Sequence, residues 1–132
     1  MKKLAVLVAS VVVLGAACTA TPVTPAVNPP GCGARTVGAD LHGCDLRGAN
    51  LAGVNLTGAN LTNADLTEAD LTGTNLTNAR LGQAIVSGAL FTSAQLQGVK
   101  SGGITGLPAD QPAGFFLVGG YFFGPGADMA YA

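Results

Sequence analysis

The sequence predicts an all-β fold, a solenoid whose wall advances in five-residue steps. Three observations carry that reading. A large apolar residue, usually leucine, recurs at every fifth position from Leu41 to Leu96. A small or modest side chain stands two residues before each of them, from Ala39 through Cys44, Val54 and Thr74 to Ala94. The composition suits a regular packing of small side chains, with 20 Gly, no Trp, 48% apolar residues and only 10% charged ones. Disorder fits poorly, because disordered chains combine low hydrophobicity with high charge. A chain of 132 residues has room for one domain.

The N-terminus reads as a leader rather than as part of that domain. Met1-Lys2-Lys3 is basic, and Leu4 to Ala17 carries no charge. The run is shorter than the roughly 20 apolar residues a spanning helix needs, so residues 1–17 fit a secretory signal peptide. It ends at Leu14-Gly15-Ala16-Ala17-Cys18, which resembles a bacterial lipobox, although Gly15 stands where an aliphatic residue is usual. That resemblance implies a lipid on Cys18 and a membrane-anchored lipoprotein of the cell envelope. Ordinary cleavage after Ala17 or Ala20, giving a secreted chain, is the alternative. Residues 18–33 form a Thr/Pro-rich tether and lead-in, with Pro22, Pro25, Pro29 and Pro30 favouring an extended chain.

Residues 34–100 hold the repeat. From Ala39 the chain divides into ADLHG, CDLRG, ANLAG, VNLTG, ANLTN, ADLTE, ADLTG, TNLTN, ARLGQ, AIVSG, ALFTS and AQLQG, twelve steps ending at Gly98. A helical face recurs at about 3.6 residues and a strand face at 2, so neither explains a period of five. Two inward residues per step suggest a short strand followed by a corner, and Gly, Asn and Asp tolerate the corner. Four such sides would close a coil of about twenty residues. These twelve steps resemble the pentapeptide-repeat family, whose pattern is A-(D/N)-L-X-X. The resemblance implies a right-handed quadrilateral parallel β-helix, here of about three coils. Residues twenty apart are then expected to stack at about 4.8 Å. The core columns would be Leu41/Leu61/Leu81, Leu46/Leu66/Val86, Leu51/Leu71/Phe91 and Leu56/Leu76/Leu96.

Both ends call for caps. Cys32 and Cys44 are candidates for a disulfide that staples the lead-in over the first coil, since paired cysteines are common in exported proteins. A buried free Cys44 is the alternative. Residues 101–132 form a Gly/aromatic segment. In it, Phe115 to Phe123 places two apolar runs around Gly119-Gly120, the pattern of a tight hairpin. This hairpin-like cap is expected to cover Ile85, Leu90 and the open coil edge. Ala127 to Tyr131 reads as one resumed step.

No catalytic, cofactor-binding or metal-ligating set emerges. His42 is the sole histidine and lies outward beside Asp40 and Asp45. General acid–base work needs a positioned partner and a pocket, and no CxxC or Cys/His cluster is present. Asp45 and Asp65 are expected to stack, as are Asn50 and Asp70, without the dense Asp/Gly loops of calcium-binding β-helices. The Asn55/Asn75/Gln95 column reads as an amide ladder. Thr57, Thr62, Thr67, Thr72 and Thr77 form a band of outward hydroxyls, either a solvated face or a surface for a partner.

Without its leader the chain is mildly acidic, because only Arg35, Arg47, Arg80 and Lys100 remain against seven acids. Nucleic acid is therefore not an expected partner. The expected role is a non-enzymatic structural or interaction module of the cell envelope. Its partners would be an envelope protein or polysaccharide, its state a monomer or a weak end-to-end dimer. The family resemblance also offers a DNA-mimicking, gyrase-binding role. The leader, the weak acidity and the short rod count against it.

Overall fold

The computed structural model describes residues 31–128. The signal peptide, Cys18, most of the tether and Met129 to Tyr131 lie outside the described residues. Within them the chain winds as a stack of four-sided coils. Parallel bridges join position-two residues twenty apart, as in Asp40–Asn60–Arg80–Lys100, Asp45–Asp65–Ile85–Thr105, Asn50–Asp70–Leu90 and Asn55–Asn75–Gln95. The fold is all-β, with no helix among the described residues.

One step accounts for four of its five N–H groups through the backbone. The Leu41 N–H donates to the Asn60 carbonyl of the next coil (2.8 Å), and the Asn60 N–H donates back to Ala39 (2.9 Å). The Gly43 N–H reaches Thr62 (2.9 Å), and the Cys44 N–H closes the corner on Leu41 (3.1 Å). Position five lies in the left-handed region at every corner, in Gly43 (φ 65°) and equally in Glu68 (58°) and Gln83 (58°). A positive φ at the third residue of the turn, with a bond from its fourth to its first, is a type II turn. Glycine dominates the position because it takes that conformation without a Cβ clash.

Positions one and three point inward. Leu41, Leu46, Leu51, Leu56, Leu61, Leu66, Leu71, Leu76, Leu81, Val86, Phe91 and Leu96 are each 3% exposed or less. Position one has room for alanine because the wall turns there. Thr74 is accepted because its buried hydroxyl donates to the Leu51 carbonyl (2.7 Å). At the N-terminal end Cys32 is disulfide-bonded to Cys44, twelve residues on, and both are buried. The lead-in is held further by Arg35, whose Nη1 donates to the Cys32 carbonyl (3.0 Å).

The winding runs past Gly98. Val99-Lys100-Ser101-Gly102-Gly103 forms another step, with Val99 and Ser101 buried and Gly103 at φ 66°. Ser101 stands where a leucine belongs and leaves the core column short. Phe122 fills that end of the stack. It is fully buried, its ring meets Phe91 edge-on with centroids 5.4 Å apart, and its N–H donates to Ser101 Oγ (3.0 Å).

Phe122 comes from a hairpin of β1 (Phe116–Val118) and β2 (Tyr121–Phe123), antiparallel and turning on Gly119-Gly120. The hairpin does not cover Ile85 and Leu90, which remain 38% and 37% exposed. The reason is geometric: both occupy position two on the side wall, whereas the hairpin seals the end. Asp110 completes the end by standing in for a missing coil. Its carboxylate accepts from the Phe91 N–H, which in earlier coils meets a backbone carbonyl, and also from the Thr92 hydroxyl. The ladder then resumes at Asp128, which bridges Lys100.

Candidate functional site

The core is filled, so any chemistry resides on the side wall, built by positions two and four. Position two answers the one N–H the ladder leaves over. In eight successive steps the side-chain oxygen of an Asp or Asn accepts the N–H of position four, from Asp40 with His42 (3.2 Å) to Asn75 with Thr77 (3.0 Å). This local bond is a familiar habit of Asx residues in turns. Threonine at position four strengthens it, since the hydroxyls of Thr57 and Thr67 donate to the same oxygens at 2.6 Å. The Asn55 and Asn75 oxygens therefore serve their own steps rather than an amide ladder. A cross-coil side-chain bond does run from Asn60 Nδ2 to Asp40 Oδ1 (3.2 Å).

Charge on the wall is arranged in two groups. Asp45 and Asp65 stack, and Arg47 answers them: its guanidinium grips Asp45 through two bonds of 2.8 and 2.6 Å and lies 3.8 Å from Asp65. The Arg47 side-chain bonds, aided by its N–H, hold the Asp45 carboxyl below the usual carboxylate range. The Thr72 hydroxyl and N–H lower that of Asp70. Among the described residues no group of three or more His, Cys, Asp and Glu side chains gathers into a metal-binding cluster. His42 lies exposed on the first coil.

The second group is cationic and was not apparent from the sequence. Arg80 and Lys100 are bridge partners at position two of successive coils. They line a cleft of about 320 Å³ together with Thr62, Gly82 and Ser101. Lys100 Nζ lies 3.8 Å from Asp128. The signal was present in the spacing, since the two residues are twenty apart, but dispersed charges in a linear chain do not read as a patch.

Comparison with known proteins agrees with this architecture. The family model described as pentapeptide repeats matches residues 37–73 and 69–100, in eight copies. No curated protein matches the chain. Among solved structures, a pentapeptide repeat protein from the Arabidopsis thaliana thylakoid lumen is 26% identical at a TM-score of 0.51, over 66% of this chain and 66% of that one. HetL of Nostoc sp. strain PCC 7120, a pentapeptide repeat protein involved in heterocyst differentiation regulation, is 35% identical at a TM-score of 0.32, over 52% of this chain and 36% of its own. Rfr23 of Cyanothece 51142 is 30% identical at 0.21, over 56% of this chain and 53% of its own. The likeness to the lumenal protein gives the coils the right-handed winding of a β-helix. With the repeat read in its backbone bonds and matched by the family model, residues 37–100 are a run of pentapeptide repeats.

Proposed function

We propose that this protein is exported and works in the cell envelope as a non-enzymatic structural or interaction module, held to a membrane through a lipid on Cys18. The observation that carries the reading is the disulfide between Cys32 and Cys44 at the first coil. Structural disulfides persist in oxidising compartments and are rare in the cytosol. The basic, apolar leader ahead of the tether points the same way. So does the lumenal origin of the Arabidopsis structure, a pentapeptide repeat protein found beyond a membrane.

In this reading the tether holds a rigid stack away from the bilayer. Its flat, Thr-bearing sides then face an envelope protein or a polysaccharide. The test is the intact mass of the protein from membrane and soluble fractions of a bacterial host. A chain beginning at Cys18 with a diacylglyceryl adduct supports the anchored form. An unlipidated chain beginning at Cys18 or Thr21 makes it a secreted module. An uncleaved cytoplasmic chain sinks the export reading and brings gyrase binding forward.

A further inference from the structure

We propose that Arg80, Lys100 and the N–H of Gly82 form a binding site for a small tetrahedral oxyanion, a phosphate or sulfate group, free or as a monoester. The first eight steps of the repeat obey one rule. There the position-four N–H meets a side-chain oxygen from position two, as Thr62 meets Asn60 (3.2 Å). In the next step position two is Arg80, which has no acceptor to offer. Among the described residues the Gly82 N–H consequently has no hydrogen-bond partner, and Gly102, following Lys100, repeats the situation one coil on. An oxygen acceptor has been exchanged for a cation at the point where the backbone still needs an oxygen.

Three further features coincide there. Arg80 forms no ion pair among the described residues, while its coil-mate Lys100 stacks on the same face at the ~4.8 Å strand spacing. Like charges set directly opposite destabilise a sheet unless something neutralises them. Lys100 has Asp128 at 3.8 Å, whereas no carboxylate of the described residues pairs with Arg80, and both cations line the cleft. Next, Gly82 is a glycine that the fold does not require. Its φ lies outside the left-handed region, and a Cβ there would meet only ordinary contacts, at 3.8 Å to Thr62 Cγ2 and 3.9 Å to the Gly102 carbonyl. Its effect is to open the wall.

Finally, Thr62 lines the cleft, and its hydroxyl, unlike those of Thr57 and Thr67, has no internal acceptor among the described residues. A guanidinium fork, an ammonium, an N–H and a hydroxyl together make a donor set suited to a tetrahedral oxyanion. Ser87, Thr92 and Gln97 also follow a position two without Asp or Asn, but no cation stands beside them. The cleft volume, at the low end of the roughly 300–1,000 Å³ of ligand pockets, leaves room for an organic group on the anion.

The test is amide NMR on the ¹⁵N-labelled full chain, titrated with inorganic phosphate, with sulfate and with glucose 6-phosphate, against chloride at matched ionic strength. The Gly82 and Gly102 resonances are expected to shift and saturate, with a Kd of about 1 mM or tighter. Arg80→Asn restores the repeat's own acceptor for the Gly82 N–H, so it is expected to leave the remaining spectrum in place and weaken binding at least about tenfold. Lys100→Asn is expected to weaken it less, because Asp128 already shares that charge. Tighter binding of the ester than of phosphate identifies an organic ligand, and equal affinity identifies the free anion. Linear shifts that chloride reproduces, or undiminished binding by Arg80→Asn, overturn the site.

Discussion

Two stretches of the same solenoid follow different rules on their outer wall. From Asp40 to Asn75, position two is always Asp or Asn, and every step offers a side-chain oxygen to its own position-four N–H. From Arg80 to Lys100, position two reads Arg, Ile, Leu, Gln and Lys. Yet the ladder continues where a further coil follows, with Leu81 to Lys100 at 2.7 Å and Val86 to Thr105 at 2.9 Å against Leu41 to Asn60 at 2.8 Å. The winding therefore depends on the inward residues, the corners and the backbone bonds between coils. The Asx bond is an increment laid over them. A solenoid in which each coil leans on its neighbours can give up that increment locally and carry other side chains on its wall.

The largest effects are expected at the two ends, where a coil has a neighbour on one side only. Phe122→Ala removes the plug beneath Phe91 and is expected to destabilise the fold by about 3–5 kcal/mol, the usual range for a buried Phe. Chemical denaturation measures it. A loss below about 1 kcal/mol would mean that the last coils hold themselves without the hairpin. At the opposite end, replacing Cys32 and Cys44 by serine releases a short loop and is expected to cost about 3 kcal/mol. The same denaturation curve, with and without reductant, checks it: the wild type under reductant must fall to the level of the serine variant.

A smaller effect separates the two wall rules directly, within one column. Asn75 accepts the Thr77 N–H, whereas Gln95 lies one coil below it with a longer side chain and no such bond. Asn75→Ala is expected to cost about 1 kcal/mol for a lost hydrogen bond. Gln95→Ala is expected to stay within about 0.5 kcal/mol, as for an ordinary surface change. Equal losses from the two would remove the Asx bond as the distinction between the stretches.

The repeat made most of the solenoid legible in advance, because a period of five forces the same two residues inward at each step. Leu41 through Leu96 could be assigned to columns before any coordinates. What a period cannot reveal is where a residue from elsewhere substitutes for a repeat. Ser101 broke the leucine pattern, and only the fold shows that Phe122, twenty-one residues later, supplies the missing bulk. Asp110 acting as a backbone carbonyl is hidden for the same reason. The exposed Ile85 and Leu90 looked like surfaces needing a cover because sequence does not distinguish the end of a stack from its side. The cationic cleft depended on a coincidence between two positions twenty apart and on an N–H left without its acceptor. That second fact emerges only when the hydrogen bonds are traced step by step.

The smallest expected effect concerns acid. Asp45 and Asp70 lie in the first stretch, and their carboxyls are held below the usual range, by the Arg47 side chain and by the Thr72 hydroxyl respectively. A free aspartate titrates near about 3.9, so the unfolded chain takes up protons at these sites at a higher pH than the folded one. Stability from the two groups is then complete above the unfolded value and declines as pH falls through the folded ones. The melting temperature is expected to be level from neutral pH to about 5 and to drop below about 4. Asp45→Asn with Asp70→Asn keeps a side-chain oxygen for the Arg47 and Thr72 N–H groups but removes the titration, so the drop should become shallower. Arg80, Ile85 and Leu90 bring no carboxylate to position two and pair with none among the described residues, and substitutions to Asn there should leave the acid limb as it was. Parallel acid limbs for wild type and the double variant would show that the carboxylates act only as the neutral amides do. The difference between the two stretches would then be one of hydrogen bonding without any share from charge.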